Sequence, residues 1–81
     1  MYTVSNMTVI KILNDNLPEA SVSENNLDCD LVNMGMDSIR FIQIVVALEE
    51  TFQCEIPDSK LLISEMDTAQ KIIDVLKTLY N

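Results

Sequence analysis

The chain has 81 residues, 48% of them hydrophobic, with one glycine and two prolines. A chain of this length forms one small domain, and so few turn-forming residues favour an all-α fold. The net charge of −8 argues against nucleic acid and anionic membranes as partners, because binding to phosphate needs clustered Lys and Arg. A basic protein surface is the expected electrostatic complement.

The beginning of the sequence, MYTVSNMTVI, has neither the charged segment nor the long apolar run of a secretory signal. No apolar run approaches the ~18 residues that cross a membrane. Without an export signal, Cys29 and Cys54 are expected to be reduced thiols rather than a disulfide. We therefore expect a cytoplasmic helical domain.

Apolar residues at three- and four-residue steps predict a first helix in SNMTVIKILNDNL, with Ser5 or Asn6 as its N-cap and Pro18 after its end. The side chains expected to face the core are Met7, Ile10, Leu13 and Leu17. The next segment, PEASVSENNLDCDLVNMG, has no sustained period, which predicts a long loop. Four side chains are expected to hold this loop against the core, namely Val22, Leu27, Leu31 and Met34.

A second helix is predicted from Ser38 to Phe52. Its buried stripe is expected to contain Phe41, Val45, Leu48 and Phe52, with Ile42 and Ile44 on the shoulders. The opposite side carries Arg40, Gln43, Ala47 and Glu50. Because this helix is apolar around more than half of its circumference, we expect it to be the central helix.

The segment QCEIPDSKLLISEM predicts an Ile-Pro turn and a short third helix capped by Asp58 or Ser59. A last helix follows a cap at Asp67 or Thr68. Its apolar stripe contains Ala69, Ile72, Ile73, Leu76, Leu79 and Tyr80. The predicted fold is a small four-helix bundle with three longer helices and one short helix.

Several kinds of catalytic or metal site do not fit this composition. The chain has no histidine, which removes Ser-His and Cys-His pairs, and two cysteines alone cannot hold zinc. One glycine cannot form a phosphate-binding loop, and the acids of DCDLVNMGMDSI fit a calcium loop in neither register. We expect no catalytic residue and no metal. A small metal-binding protein and a hydrolase with Ser38 as nucleophile remain weak alternatives.

The stretch MGMDSIRFIQI places the only glycine three residues before a serine. Read locally, Asp37 caps the second helix, Ser38 lies in its first turn, and Gly35 enters with a positive φ.

From Gly35 to Asp58, the sequence GMDSIRFIQIVVALEETFQCEIPD resembles the carrier-protein family. This family includes the acyl carrier proteins of fatty-acid and polyketide synthesis and the peptidyl carrier proteins of nonribosomal peptide synthesis. The resemblance combines a Gly-x-Asp-Ser-(Leu/Ile) motif, an apolar helix that ends in ALEETF, and an IPD turn. The order of helices and loop extends it over nearly the whole chain.

The resemblance implies one carrier domain over residues 1–81, a monomer of acyl-carrier-like fold, that is not itself an enzyme. It implies that Ser38 is joined through a phosphodiester to 4′-phosphopantetheine, which a phosphopantetheinyl transferase adds from coenzyme A. Asp37 matches the acid that helps the transferase recognise the carrier. Acyl, aminoacyl or peptidyl groups are then held as thioesters on the arm, and a loading enzyme and downstream synthases bind transiently.

Candidate partner contacts lie on the second helix. Ile39 and Val46 match positions that the family uses as apolar contacts, although packing against the third helix is an equal alternative. Arg40, Gln43 and Glu50 lie on the exposed side and complete the set. Fatty-acid carriers usually have acids at positions 40 and 43, whereas SIRFIQ is closer to peptidyl carriers. We therefore expect a stand-alone carrier of a specialised fatty-acid-like, polyketide or nonribosomal peptide pathway.

The run Leu61, Leu62 and Ile63 is more apolar than the family usually shows. We expect it to fill the core rather than to line an acyl pocket. The main competing hypothesis for the whole chain is a non-enzymatic acidic helical adaptor, which binds a partner through the second helix and leaves Ser38 unmodified.

Overall fold

A computed structural model describes residues 4–79, which form three α-helices and three short 3-10 segments without a β-strand. The α-helices are α1 (Asn6–Asn16), α2 (Ser38–Phe52) and α3 (Ala69–Leu79). The 3-10 segments are Val32–Met34, Asp58–Lys60 and Ile63–Glu65. The predicted all-α fold is confirmed.

Helix α1 begins at the predicted cap, since Ser5 Oγ accepts a hydrogen bond from the Thr8 N–H at 3.4 Å. Its core side chains are Val9, Ile10, Ile12, Leu13 and, just after its end, Leu17. The prediction for Met7 is wrong, because this side chain is 62% exposed. Helix α1 packs against both α2 and α3, so its buried face is wider than one stripe and is centred away from Met7.

Helix α2 spans the predicted residues, and its predicted stripe is buried at Phe41, Val45, Leu48 and Phe52. The two residues predicted on the shoulders of this stripe differ in burial. Ile44 is fully buried, whereas Ile42 is 60% exposed. The prediction of a central α2 is also wrong, because α1 is the helix that packs against both others.

The long loop between α1 and α2 is held by hydrogen bonds at both ends. Near α1, Asn14 Nδ2 donates to the Val22 carbonyl at 3.1 Å and Asn14 Oδ1 accepts from the Val22 N–H at 2.9 Å. Near α3, the Leu31 N–H donates to the Asp67 carbonyl at 2.8 Å, and the Gln70 N–H donates to the Leu27 carbonyl at 2.9 Å. The four predicted loop anchors are confirmed, with two buried and two packed against the core, namely Val22, Leu31, Leu27 and Met34.

The predicted short third helix is wrong in detail, because two single 3-10 turns replace it. Leu62 between them is extended, with φ −124° and ψ 139°, and no side chain caps the first turn. An extended residue places its two neighbours on one side, so Leu61 and Ile63 both pack against the core while Leu62 is 56% exposed. A regular helix would turn Leu61 and Ile63 in different directions.

Helix α3 is capped by the predicted Thr68, whose Oγ1 accepts from the Lys71 N–H at 3.1 Å. The Lys71 ammonium donates to Asp67 Oδ1 at 2.8 Å and to the Ser64 carbonyl at 3.1 Å. The bond to Asp67 raises the pKa of Lys71 above its ordinary value. The predicted stripe is buried at Ala69, Ile72, Ile73 and Leu76 and half-buried at Leu79, and Tyr80 lies outside the described residues.

No disulfide joins Cys29 and Cys54. Among the helices described here, none is long and apolar enough to cross a membrane.

We predict that Asn14→Ala lowers the free energy of unfolding by about 1–3 kcal/mol, because the Val22 N–H and carbonyl lose their partners beside a buried side chain. Urea unfolding followed by circular dichroism measures this loss. Asn25→Ala is the control, since Asn25 is an exposed asparagine of the loop that Asn14 holds. Equal unfolding midpoints for the two variants would contradict the prediction.

Candidate functional site

The chain approaches α2 through a tight turn at Gly35. The Val32 N–H donates to Asp30 Oδ1 at 2.9 Å, and the Gly35 N–H donates to the Val32 carbonyl at 3.1 Å. Gly35 has φ 105° and ψ 7°, a left-handed conformation that disfavours residues with a Cβ. A Cβ there would come no closer than 3.5 Å to Arg40 Nη1. The positive φ, rather than lack of space, therefore accounts for the glycine, as predicted.

Met36 anchors this turn to the core, which the sequence analysis missed. Its side chain is 3% exposed, and its N–H donates to the Leu31 carbonyl at 3.0 Å. Leu31 is itself buried. The alternation of apolar Met34 and Met36 with exposed Gly35 and Asp37 was the available signal for this anchor.

Asp37 caps α2, as predicted. Its backbone is extended, its Oδ1 accepts from the Arg40 N–H at 2.8 Å, and its carbonyl accepts from the Phe41 N–H at 2.8 Å. The side chain is exposed. Asp37 therefore determines where the helix begins and keeps part of its carboxylate accessible to solvent.

Ser38 is the first residue of α2 and is exposed. None of the hydrogen bonds found within residues 4–79 engages its hydroxyl. The first turn of an α-helix presents N–H groups without intrahelical partners and the positive end of the helix dipole. This position suits a serine that carries an anionic phosphodiester, because the anion lies beside those N–H groups.

An apolar strip continues from Ser38 along the outer side of α2. Ile39 is 69% exposed, Ile42 is 60% exposed and Val46 is 46% exposed. A shallow hollow on the same side is lined by Ile42, Gln43, Val46, Ala47, Glu50 and Thr51. The exposure of Ile39 and Val46 disfavours the alternative in which they pack into the fold.

The outer side of α2 carries little charge although the chain is strongly acidic. Arg40 is half-buried, and its Nη1 lies 3.5 Å from the Gly35 carbonyl. Glu49 Oε2 accepts from the Ile56 N–H at 2.9 Å, so this carboxylate holds the IPD turn against the end of α2. Exposed Glu50 is the remaining acid of the helix.

Acidic residues are concentrated instead in the loop before Ser38. Residues 17–37 contain no basic residue and five acids, namely Glu19, Glu24, Asp28, Asp30 and Asp37. No three His, Cys, Asp or Glu side chains among residues 4–79 form a group that could hold a metal ion.

The structure thus brings the candidate site residues onto one continuous surface. Asp37, Ser38, Ile39 and Arg40 occupy the cap and first turn of α2. Gln43, Val46 and Glu50 follow on the outer side of the same helix, where each is exposed. This surface combines the exposed Ser38 at the start of α2 with an apolar strip along the same helix.

Comparison with known proteins agrees with this geometry. A family model described as the phosphopantetheine attachment site matches residues 8–76, a range that contains α2, its preceding loop and most of α1 and α3. No solved structure matches the chain. Because the family model covers most of the sequence, this chain belongs to the phosphopantetheine attachment site family, whose domains are the site of covalent 4′-phosphopantetheine attachment.

Proposed function

We propose that this protein is an acyl, aminoacyl or peptidyl carrier and that Ser38 bears the 4′-phosphopantetheine arm. The observation that carries the proposal is the exposed Ser38 at the first position of α2, within the Gly-x-Asp-Ser motif. The family match supports the same chemistry. Residues 1–81 then act as one monomeric carrier domain, and partner enzymes perform the catalysis.

Attachment requires only a reachable hydroxyl from this chain. Ser38 Oγ attacks the phosphorus of coenzyme A that bears the pantetheine, and the new O–P bond replaces the bond to adenosine 3′,5′-bisphosphate. The hydroxyl proton passes to a base of the transferase, since this chain has no histidine. The resulting phosphodiester anion beside the first turn of α2 is stabilised by about 0.3–1 kcal/mol.

Asp37 has two roles in this proposal. One carboxylate oxygen accepts from the Arg40 N–H and so fixes the start of α2. Because the side chain is exposed, the second oxygen is available to a basic group of the transferase. The acid therefore orders the helix start and marks it for recognition.

When bound, the arm supplies a thiol that holds the cargo as a thioester. The protein contributes the tether, which raises the local cargo concentration to about the millimolar range for a short flexible linker. Partners that collect the cargo in turn must bind transiently, which is typical of interfaces below about 1,200 Å². The proposed docking face combines half-buried Arg40 with the exposed residues of the same side, namely Ile39, Ile42, Gln43, Val46 and Glu50.

The proposed pathway is a specialised fatty-acid-like, polyketide or nonribosomal peptide pathway rather than housekeeping fatty-acid synthesis. Arg40 supports this assignment because it places a cation where a basic partner would need an acid. The acids of loop 17–37 lie beside this face in sequence and contribute to the steering of basic partners.

We predict that the wild-type protein gains the mass of one phosphopantetheine when incubated with coenzyme A, magnesium and a broad-specificity transferase. Ser38→Ala gains none, because no other hydroxyl lies at the start of α2. Intact-mass spectrometry measures the gain, and Ser59→Ala, which changes an exposed serine elsewhere, is the matched control. Unmodified wild type that is folded, with an active transferase, would contradict the proposal and favour the adaptor hypothesis.

We predict that a malonyl transferase of ordinary fatty-acid synthesis loads the holo protein poorly and that Arg40→Glu raises its kcat/KM about tenfold. The substitution removes an unfavourable charge opposite a basic partner, and tenfold corresponds to about 1.4 kcal/mol. Lys77→Glu makes the same change in net charge at an exposed residue of α3 and is expected to have little effect. Efficient loading of wild type that Arg40→Glu does not change would refute the pathway assignment.

A further inference from the structure

We propose that Met36 is a positioning residue for Ser38 in the loading reaction. The proposal rests on the attachment of the arm to Ser38, and it assigns to Met36 the task of holding the serine in the arrangement that the transferase recognises.

The first argument is burial. From Val32 to Arg40, Met36 is the most deeply buried residue, with a side chain that is 3% exposed. Its neighbours Gly35 and Asp37 are both exposed, as is Ser38. Met34 packs against the core as well but is only partly buried, so Met36 is the main apolar anchor of the segment that presents the serine.

The second argument is the hydrogen bonding of the backbone. The Met36 N–H donates to the Leu31 carbonyl at 3.0 Å, and the Leu31 N–H donates to the Asp67 carbonyl at 2.8 Å. Leu31 is 1% exposed, so its position is fixed by packing in the core. Met36, which lies two positions before Ser38, is therefore connected through Leu31 to the chain just before α3.

The third argument distinguishes Met36 from the cap. Among residues 4–79, the hydrogen bonds found for Asp37 go to Arg40 and Phe41 of α2 itself, so they order the helix start without reaching the loop or α3. The side chain of Met36 supplies the connection to the core. If it is truncated, the Gly35 turn loses its apolar anchor, and the cap and first turn open more often.

The kinetic consequence follows from the population of the ordered turn. For a ligand that binds only the ordered form, the apparent dissociation constant equals the intrinsic dissociation constant divided by the fraction of protein in that form. If truncation leaves the turn ordered about a tenth of the time, the KM for the carrier rises about tenfold. The kcat stays unchanged, because the bound complex contains the ordered turn in either case.

The test compares steady-state loading by a broad-specificity transferase at saturating coenzyme A, with the carrier concentration varied. Met36→Ala is expected to raise KM about tenfold with kcat within about twofold of wild type. Met36→Leu is expected to restore wild-type KM, because leucine and methionine have similar volumes. Val75→Ala truncates another buried side chain, in α3, and is expected to lower Tm without a change in KM. Circular dichroism establishes that each variant is folded at the assay temperature, and Met36→Val replaces Met36→Ala if the latter is unfolded.

Equal KM values for wild type and Met36→Ala would overturn the positioning role, as would an equal rise in KM for Val75→Ala. A loss confined to kcat would overturn it too. These outcomes leave the attachment itself intact, since every variant still gains the arm. Failure of wild type to gain any mass would instead overturn the attachment to Ser38, and the role of Met36 with it.

Discussion

The backbone hydrogen bond from Leu31 to Asp67 is the constraint on which the presentation of Ser38 depends. About twenty residues separate α1 from α2, a length at which loops are usually functional or disordered, and closing such a loop has an entropic cost. The bonds from Leu31 to Asp67 and from Gln70 to Leu27 fix this loop against the start of α3. The second bond also satisfies an N–H in the first turn of α3 that has no intrahelical partner, so the loop and the helix stabilise each other.

Helix α2 contributes apolar side chains both to the core and to the solvent-exposed surface, and these two uses differ in their effect on stability. Its inner side supplies Phe41, Ile44, Val45, Leu48 and Phe52 to the core, which a chain this small needs for its stability. Its outer side keeps Ile39, Ile42 and Val46 in solvent, where they contribute little to folding. Apolar side chains in a row beside the proposed attachment site have a cost in solubility that binding to partners would offset. Apolar residues therefore cover more of the circumference of α2 than burial in the core alone would require.

Local signals explain why parts of the fold were predictable. Caps and helix periods act within a few residues, and Asp37, Ser5 and the stripe of α2 follow such rules. The misplacement of Met7 and Ile42 had another cause. Which side of a helix is buried depends on where the other helices lie, and α1 rather than α2 packs against both neighbours. Periodicity along one helix does not contain that information.

The prediction of a short helix around Leu62 was wrong for a related reason. Its composition allows a helix, but the need to bury Leu61 and Ile63 on the same side favours an extended residue between them, and that need arises only in the assembled core. Met36 escaped notice because its alternation with Met34 covers only two apolar residues, which is too short to establish a period. The order of elements and the proposed attachment motif were accessible from sequence, whereas the anchor beneath the motif had only a short alternation to indicate it.

The distribution of charge links these features to the carrier role. Five acids and no base lie in loop 17–37, while Glu49 on α2 is bonded to the Ile56 N–H and so belongs to the fold more than to the surface. In the proposed function, long-range attraction of basic partners and short-range contact with them depend on different residues. Charge acts over about a Debye length and governs mainly the rate of encounter, whereas the apolar strip acts only on contact. A carrier that must be released after each transfer gains from this separation, because salt or a distant acid alters how fast partners arrive without altering how tightly the strip holds them.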